Sequence, residues 1–105
     1  MRIGPWMKYC IRLWEQLEQH HFGFFFRWPV NPLRHGLENY FRVVVRPMDL
    51  ETIRLKLYAY KYPSAEDFDH DVRLMLDNAR KANVGHQEIM EQIKEYTNFF
   101  FTKRR

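Results

Sequence analysis

Cysteine is nearly absent from this chain: Cys10 is the single one in 105 residues. One thiol cannot close an internal disulfide, which fits a reducing compartment such as the cytosol or the nucleus. No apolar run approaches the ~20 residues that a membrane span needs. The first residues also lack the apolar stretch of a secretory signal. The expectation is a soluble, intracellular protein with no membrane partner. There is no glycine-rich phosphate loop, internal repeat or low-complexity segment. Dense Lys/Arg blocks are missing too. Seventeen basic and thirteen acidic side chains give a formal charge of +4 and a pI near 9.4. Such a surface mildly favours anionic partners without marking a dedicated nucleic-acid binder.

Catalytic signals are scarce as well. His20, His21, His35, His70 and His86 show no metal-ligand spacing. Two adjacent histidines on a helix point about 100° apart, so His20 and His21 are not expected to share an ion. Cys10 falls on an apolar helical stripe, where a small buried hydrophobe outweighs a nucleophile. Glu66, Asp67, Asp69 and Asp71 crowd a helix start, which the helix dipole favours without any acid–base role. No enzyme, metal or cofactor is expected.

What the chain has is apolar bulk. Apolar residues make up 46%, aromatics 17%, and there are nine Phe. At 105 residues that is enough for one core and too short for two, so one domain over 1–105 is the expected organisation. Pro5 suits the first position of a helix, and Trp6, Cys10, Leu13, Trp14 and Leu17 follow at helical spacing, predicting a helix over about 5–21. From Phe24 to Met48 the pattern breaks, with prolines at 29, 32 and 47. No long regular element can run through it, and a stretch of this length inside a small domain is usually functional. Val43-Val44-Val45 reads as a buried strand on propensity alone, but no partner strand is in sight.

Asp49 can cap a helix over about 50–59 that carries Leu50, Ile53 and Leu57. Ile53, Leu55 and Leu57 also alternate as a strand would, so the period alone leaves this segment open. A lone strand in a helical chain has no sheet to join. Ser64 with Asp67 is a plausible capping pair for the clearest helix, about 64–81, in which Phe68, Val72, Met75, Leu76 and Ala79 share a face. A last helix over about 86–102 places Ile89, Ile93, Tyr96 and Phe100 on one side and ends in Lys103-Arg104-Arg105, which suits a helix C-terminus. The sum is an all-α, four-helix bundle with one long early connection.

Asn83 follows the third of these helices, in the run Asp71-Val72-Arg73-Leu74-Met75 through Ala79-Arg80-Lys81-Ala82-Asn83. Upstream stand Trp28-Pro29-Val30, then Tyr40-Phe41-Arg42-Val43-Val44-Val45-Arg46-Pro47-Met48-Asp49-Leu50. Together these segments resemble the bromodomain family, helical modules that recognise acetylated lysine. The likeness is motif-specific from about Trp28 to Asn83 and looser on either side. It implies that the segment after Asp49 is helical. It implies that Asn83 supplies the amide donor to the acetyl carbonyl, and that Tyr40 holds the same carbonyl through an ordered water. Trp28, Pro29 and Val30 match the family's shelf, Leu33 and Leu37 its long-loop inner wall, and Ile89 its gatekeeper position. Ala82 lies beside the binding Asn. Asn78, one turn earlier, reads differently, as a structural tie from helix to loop.

This chain departs from the family pattern around the pocket. Val30 replaces the usual Phe, Ala79 a common Cys, and Ala82 a usual Tyr, and the Trp28-to-Tyr40 segment is a few residues shorter. Less aromatic wall means less contact area for a ligand, so a wider, weaker or altered pocket is expected. The resemblance implies a monomeric, nuclear reader of acetylated lysine, most readily on histone tails. The residues leave three other readings open. Asn83 can be a left-handed helix cap. The bundle can serve as an interaction module without the ligand. A basic helical nucleic-acid binder, or a weak DNA contact, can use Arg42, Arg46, Arg54, Lys56, Arg80 and Lys81 on phosphates.

Overall fold

Pro5 opens helix α1 (Pro5–Gln19) behind an extended Gly4. The structure, a computed structural model, describes residues 4–31 and 40–104. After α1 come a short 3-10 turn (Gly23–Phe26), the one-turn helix α2 (Tyr40–Val43), α3 (Leu50–Tyr58), α4 (Ala65–Ala82) and α5 (Gln87–Lys103). The four longer helices form the bundle, and no strand occurs among the described residues. Val43-Val44-Val45 thus leaves α2 instead of forming a strand, with Val44 buried and Val45 84% exposed.

Each helix buries the face its spacing marks out. Leu13 and Leu17 of α1 meet Leu50, Ile53 and Leu57 of α3, and Val72 and Met75 of α4 and Tyr96 and Phe100 of α5 complete the core. Each such side chain contributes on the order of 1.5–3 kcal/mol on burial. Cys10 belongs to this core. Burial pushes its thiol up to about 11, with the Asp69 carboxylate adding to the effect. Trp6 departs from the expected stripe: it is 37% exposed, and Met7 is buried instead. Helical rotation puts Trp6 in the middle of the stripe, so spacing alone does not set its exposure.

Polar ties fix how the helices stack. Trp14 Nε1 donates to the Leu50 carbonyl at 2.7 Å. The Tyr96 hydroxyl, on α5, donates to the Leu17 carbonyl at 2.6 Å. Asp71 of α4 is buried and accepts from both Lys56 Nζ and the Tyr62 hydroxyl, each at 2.6 Å. Asp49 caps α3 as its sequence position implies, accepting from the Thr52 amide at 2.9 Å and from Thr52 Oγ1 at 2.6 Å. Ser64 departs from the capping pattern: its hydroxyl donates to the Asp67 carboxylate at 2.8 Å and makes no bond to the helix backbone. The acid competes for the hydroxyl that would otherwise cap. The basic tail is held down as well, with Arg104 on Asp69 at 2.8 Å and over the Phe101 ring at 4.7 Å.

Helix α1 stops at Gln19, where His20 turns to ψ 144°. His20 and His21 are therefore off the helix, and their rings stack at 4.4 Å where helical rotation would have parted them. Gly23 is required just beyond: a Cβ there would stand 2.6 Å from the Leu17 and Glu18 carbonyls. This close approach folds the Phe24-Phe25-Phe26 turn back along the bundle.

Candidate functional site

Where α4 stops and α5 begins, the bundle opens into a cavity of about 570 Å³. That size lies within the range of about 300–1,000 Å³ usual for small-ligand pockets. Four stretches build it: the 3-10 turn with Trp28-Pro29-Val30, Tyr40 of α2, Met48 and Asp49 ahead of α3, and the facing ends of α4 and α5. Seven of the nine residues singled out from the sequence line it, namely Trp28, Pro29, Val30, Tyr40, Ala82, Asn83 and Ile89. Leu33 and Leu37 lie outside the described residues.

Asn83 sits at the C-cap of α4, half-buried, with φ −117° and ψ 23°. It is not in the left-handed conformation; Gly85, two residues on, takes that role with φ +90°. Its side-chain Nδ2 donates to the Ala79 carbonyl at 2.7 Å, one turn back. An amide nitrogen carries two hydrogens, so this bond fixes the side chain and leaves one N–H without a partner among the described residues. The anchoring bond orients the group before any ligand arrives.

Tyr40 is buried and lines the same cavity. Burial, and then the nearby Asp49 carboxylate, raises its phenol above the ordinary value, so the hydroxyl stays protonated. Asp49 is the one carboxylate among the described lining residues, and both its oxygens are engaged by Thr52. Asn78 is also buried against the cavity, and its Nδ2 donates to the Arg46 carbonyl at 2.7 Å. That bond ties the strap carrying Pro47, Met48 and Asp49 to α4, the structural role its position implies.

Apart from His86, the remaining walls are apolar. Phe24, Phe25, Met48, Met75 and Ile93 join the cavity although the sequence did not single them out for it. Phe24 and Phe25 stack at 4.3 Å and stay largely exposed, continuing the open face of Trp28, itself 62% exposed. The aromatic triplet beside Trp28 was a usable signal, but the turn that aims it depends on Gly23 fitting against α1. Met48 lies in the Pro47-Met48-Asp49-Leu50 run, while helical spacing places Met75 and Ile93 on core faces alone.

The sequence profile of the bromodomain matches residues 10–95. The chain belongs to the bromodomain family. Among proteins similar to it, Transcription factor GTE10 of Arabidopsis thaliana is 44% identical over 77 residues, 73% of this chain and 7% of that protein. Protein cbp-1 of Caenorhabditis elegans is 41% identical over 73 residues, 70% of this chain and 4% of that protein. The SWR1 complex bromodomain subunit bdf1 of Schizosaccharomyces pombe is 36% identical over 74 residues, 70% of this chain and 13% of that protein. This bromodomain thus spans only a small part of the length of these relatives. Among solved structures, the second bromodomain of Candida albicans Bdf1, bound to an imidazopyridine, superposes with a TM-score of 0.88 at 28% identity, covering 96% of this chain and 99% of that one.

The basic residues are arranged differently from the pocket. Of the six that a nucleic-acid face would use, Arg54 pairs with Glu51 at 2.7 Å, Lys56 with Asp71 at 2.6 Å, and Arg80 with Asp77. No helix among the described residues is long and apolar enough to cross a membrane.

Proposed function

We propose that this bromodomain is a non-enzymatic, monomeric reader of acetylated lysine on histone tails or other chromatin proteins, working in the nucleus. The observation that carries the reading is the unpartnered Asn83 N–H on the wall of an apolar cavity whose lining offers no free carboxylate among the described residues. Acetyl-lysine brings a neutral acetamide on an aliphatic stem. Its carbonyl accepts from Asn83 and, through water, from the Tyr40 hydroxyl, while the stem lies along Val30 and Ile89. An unmodified lysine would have to bury an ammonium whose one carboxylate neighbour among the described lining residues, Asp49, is buried and already shared with the Thr52 amide and hydroxyl; the uncompensated desolvation disfavours it by a few kcal/mol.

The relatives' names support the setting, since they include a transcription factor and a subunit of the SWR1 complex. The ion pairs of Arg54, Lys56 and Arg80 favour a reader over a phosphate-binding face, because half of that face's cations are already neutralised. Titrating an acetylated histone-tail peptide into the wild type and into Asn83→Ala tests the assignment. Losing one hydrogen bond to the ligand worth about 1.4 kcal/mol weakens binding roughly tenfold, while loss of the half-exposed Asn83–Ala79 bond lowers the melting temperature by only a few degrees and leaves the fold intact. Equal affinity in the two proteins would remove Asn83 from the mechanism.

A further inference from the structure

A second group of side chains, away from the pocket, carries donor atoms at ligand-like separations. Glu95 of α5 approaches the stacked histidines that follow α1. Its Oε2 is 3.2 Å from His21 Nε2 and 4.0 Å from His20 Nε2. One donor atom from each of the three lies within 4.8 Å of the others. We propose that His20, His21 and Glu95 form a surface site for a divalent transition-metal ion of the zinc class, which clamps the end of α1 to α5.

The donor set selects the class of ion. Two imidazoles and one carboxylate suit zinc, nickel or copper, whereas calcium and magnesium ask for oxygen ligands alone. Bonds of 2.0–2.1 Å in a tetrahedral site put ligand atoms about 3.3 Å apart. The His21–Glu95 pair already stands at that distance. Both side chains are largely exposed, at 69% and 58%, and can turn to close the rest.

His20 is the fixed point. Its side chain is only 9% exposed, and the Tyr96 and Phe99 rings lie 5.1 and 4.6 Å away. The Phe22 amide donates to its Nδ1 at 3.1 Å. Coordination through Nε2 moves the ring proton to Nδ1, which the Phe22 amide faces, so metal binding has to release that hydrogen bond. Three protein ligands leave a fourth position for water. The site stands apart from the acetyl-lysine reading: Phe24-Phe25-Phe26 joins the two regions, but none of the three ligands lines the cavity.

The test is calorimetric titration of the untagged chain with zinc chloride, together with NMR spectra of the histidine rings. The expected result is one saturable equivalent, with the His20 and His21 ring signals moving first and a raised melting temperature. His21→Ala and Glu95→Gln each weaken binding about tenfold or more, while His86→Ala leaves it unchanged and magnesium chloride gives no saturable heat. His20 is left in place because its packed ring also supports the fold. The proposal is overturned by the absence of saturable zinc binding, or by affinity that survives both His21→Ala and Glu95→Gln.

Discussion

Replacing Asn78 by Ala removes the bond that holds the Pro47-Met48-Asp49 strap on α4. The side chain is buried and its Nδ2 lies 2.7 Å from the Arg46 carbonyl. A hydrogen bond of this kind contributes about 0.5–1.5 kcal/mol net, and a carbonyl left dry and unpaired adds a penalty of about 1–3 kcal/mol. The Arg46 side chain is exposed, so its carbonyl recovers some water on release. The sum comes to about 2 kcal/mol. At roughly 4–8 °C per kcal/mol for a domain of this size, the melting temperature falls by about 8–16 °C. Asn78→Asp preserves the shape, loses the donor and sets a carboxylate against a carbonyl, so it should destabilise at least as much. Urea unfolding gives the free energies, and the Met48 methyl signal reports on the strap. If both variants lose less than about 0.5 kcal/mol and Met48 does not move, the bond does not hold the wall in place.

Ala82→Tyr, which restores the aromatic wall the family usually carries, should tighten acetyl-peptide binding by about threefold to tenfold while melting stays within a few degrees, because Ala82 is half-exposed; calorimetry and a thermal scan read the two effects. Asp49→Ala removes the α3 cap and should lower stability by about 1–2 kcal/mol in urea titration, with Thr52 made Ser as a control that keeps the hydroxyl. Cys10 should resist alkylation at pH 8 until the chain unfolds, since it is buried and its thiol is pushed up to about 11 from the ordinary 9.0. The same shift sets a stability profile: the folded state keeps the proton that the unfolded state gives up, so stability is full below pH 9 and falls as pH rises towards 11, and Cys10→Ser should flatten that slope.

Helix periodicity carried most of the fold. Leu17, Val72 and Phe100 occupy the faces their spacing assigns, because a 3.6-residue repeat maps directly onto burial. Asp49 announced its helix because the cap is local chemistry. The period of the Leu50–Leu57 segment is ambiguous; the missing partner strands and the family resemblance point to a helix, and α3 packs as one against α1 and α4. What local pattern could not show depends on long-range contact. Trp6 fits the stripe yet lies exposed. His20 and His21 stack because α1 ends at Gln19, and the carbonyls around Gly23 decide where the Phe24-Phe25-Phe26 turn points. Most of the pocket was legible through the family motifs, with Asn83, Tyr40 and the Trp28-Pro29-Val30 shelf brought to one cavity. Its Phe24, Phe25 and Ile93 walls required the assembled bundle.

Whether the cavity distinguishes a neutral acetamide from an ammonium is the decisive question, and paired titrations of one histone-tail peptide, acetylated at a single lysine or unmodified, answer it directly. An unpaired ammonium penalty of a few kcal/mol corresponds to at least about a hundredfold preference for the acetylated peptide, with the Asn83 side-chain amide signals shifting in the acetylated titration alone. Indistinguishable affinities, or binding that leaves the Asn83 amide unmoved, would contradict the account.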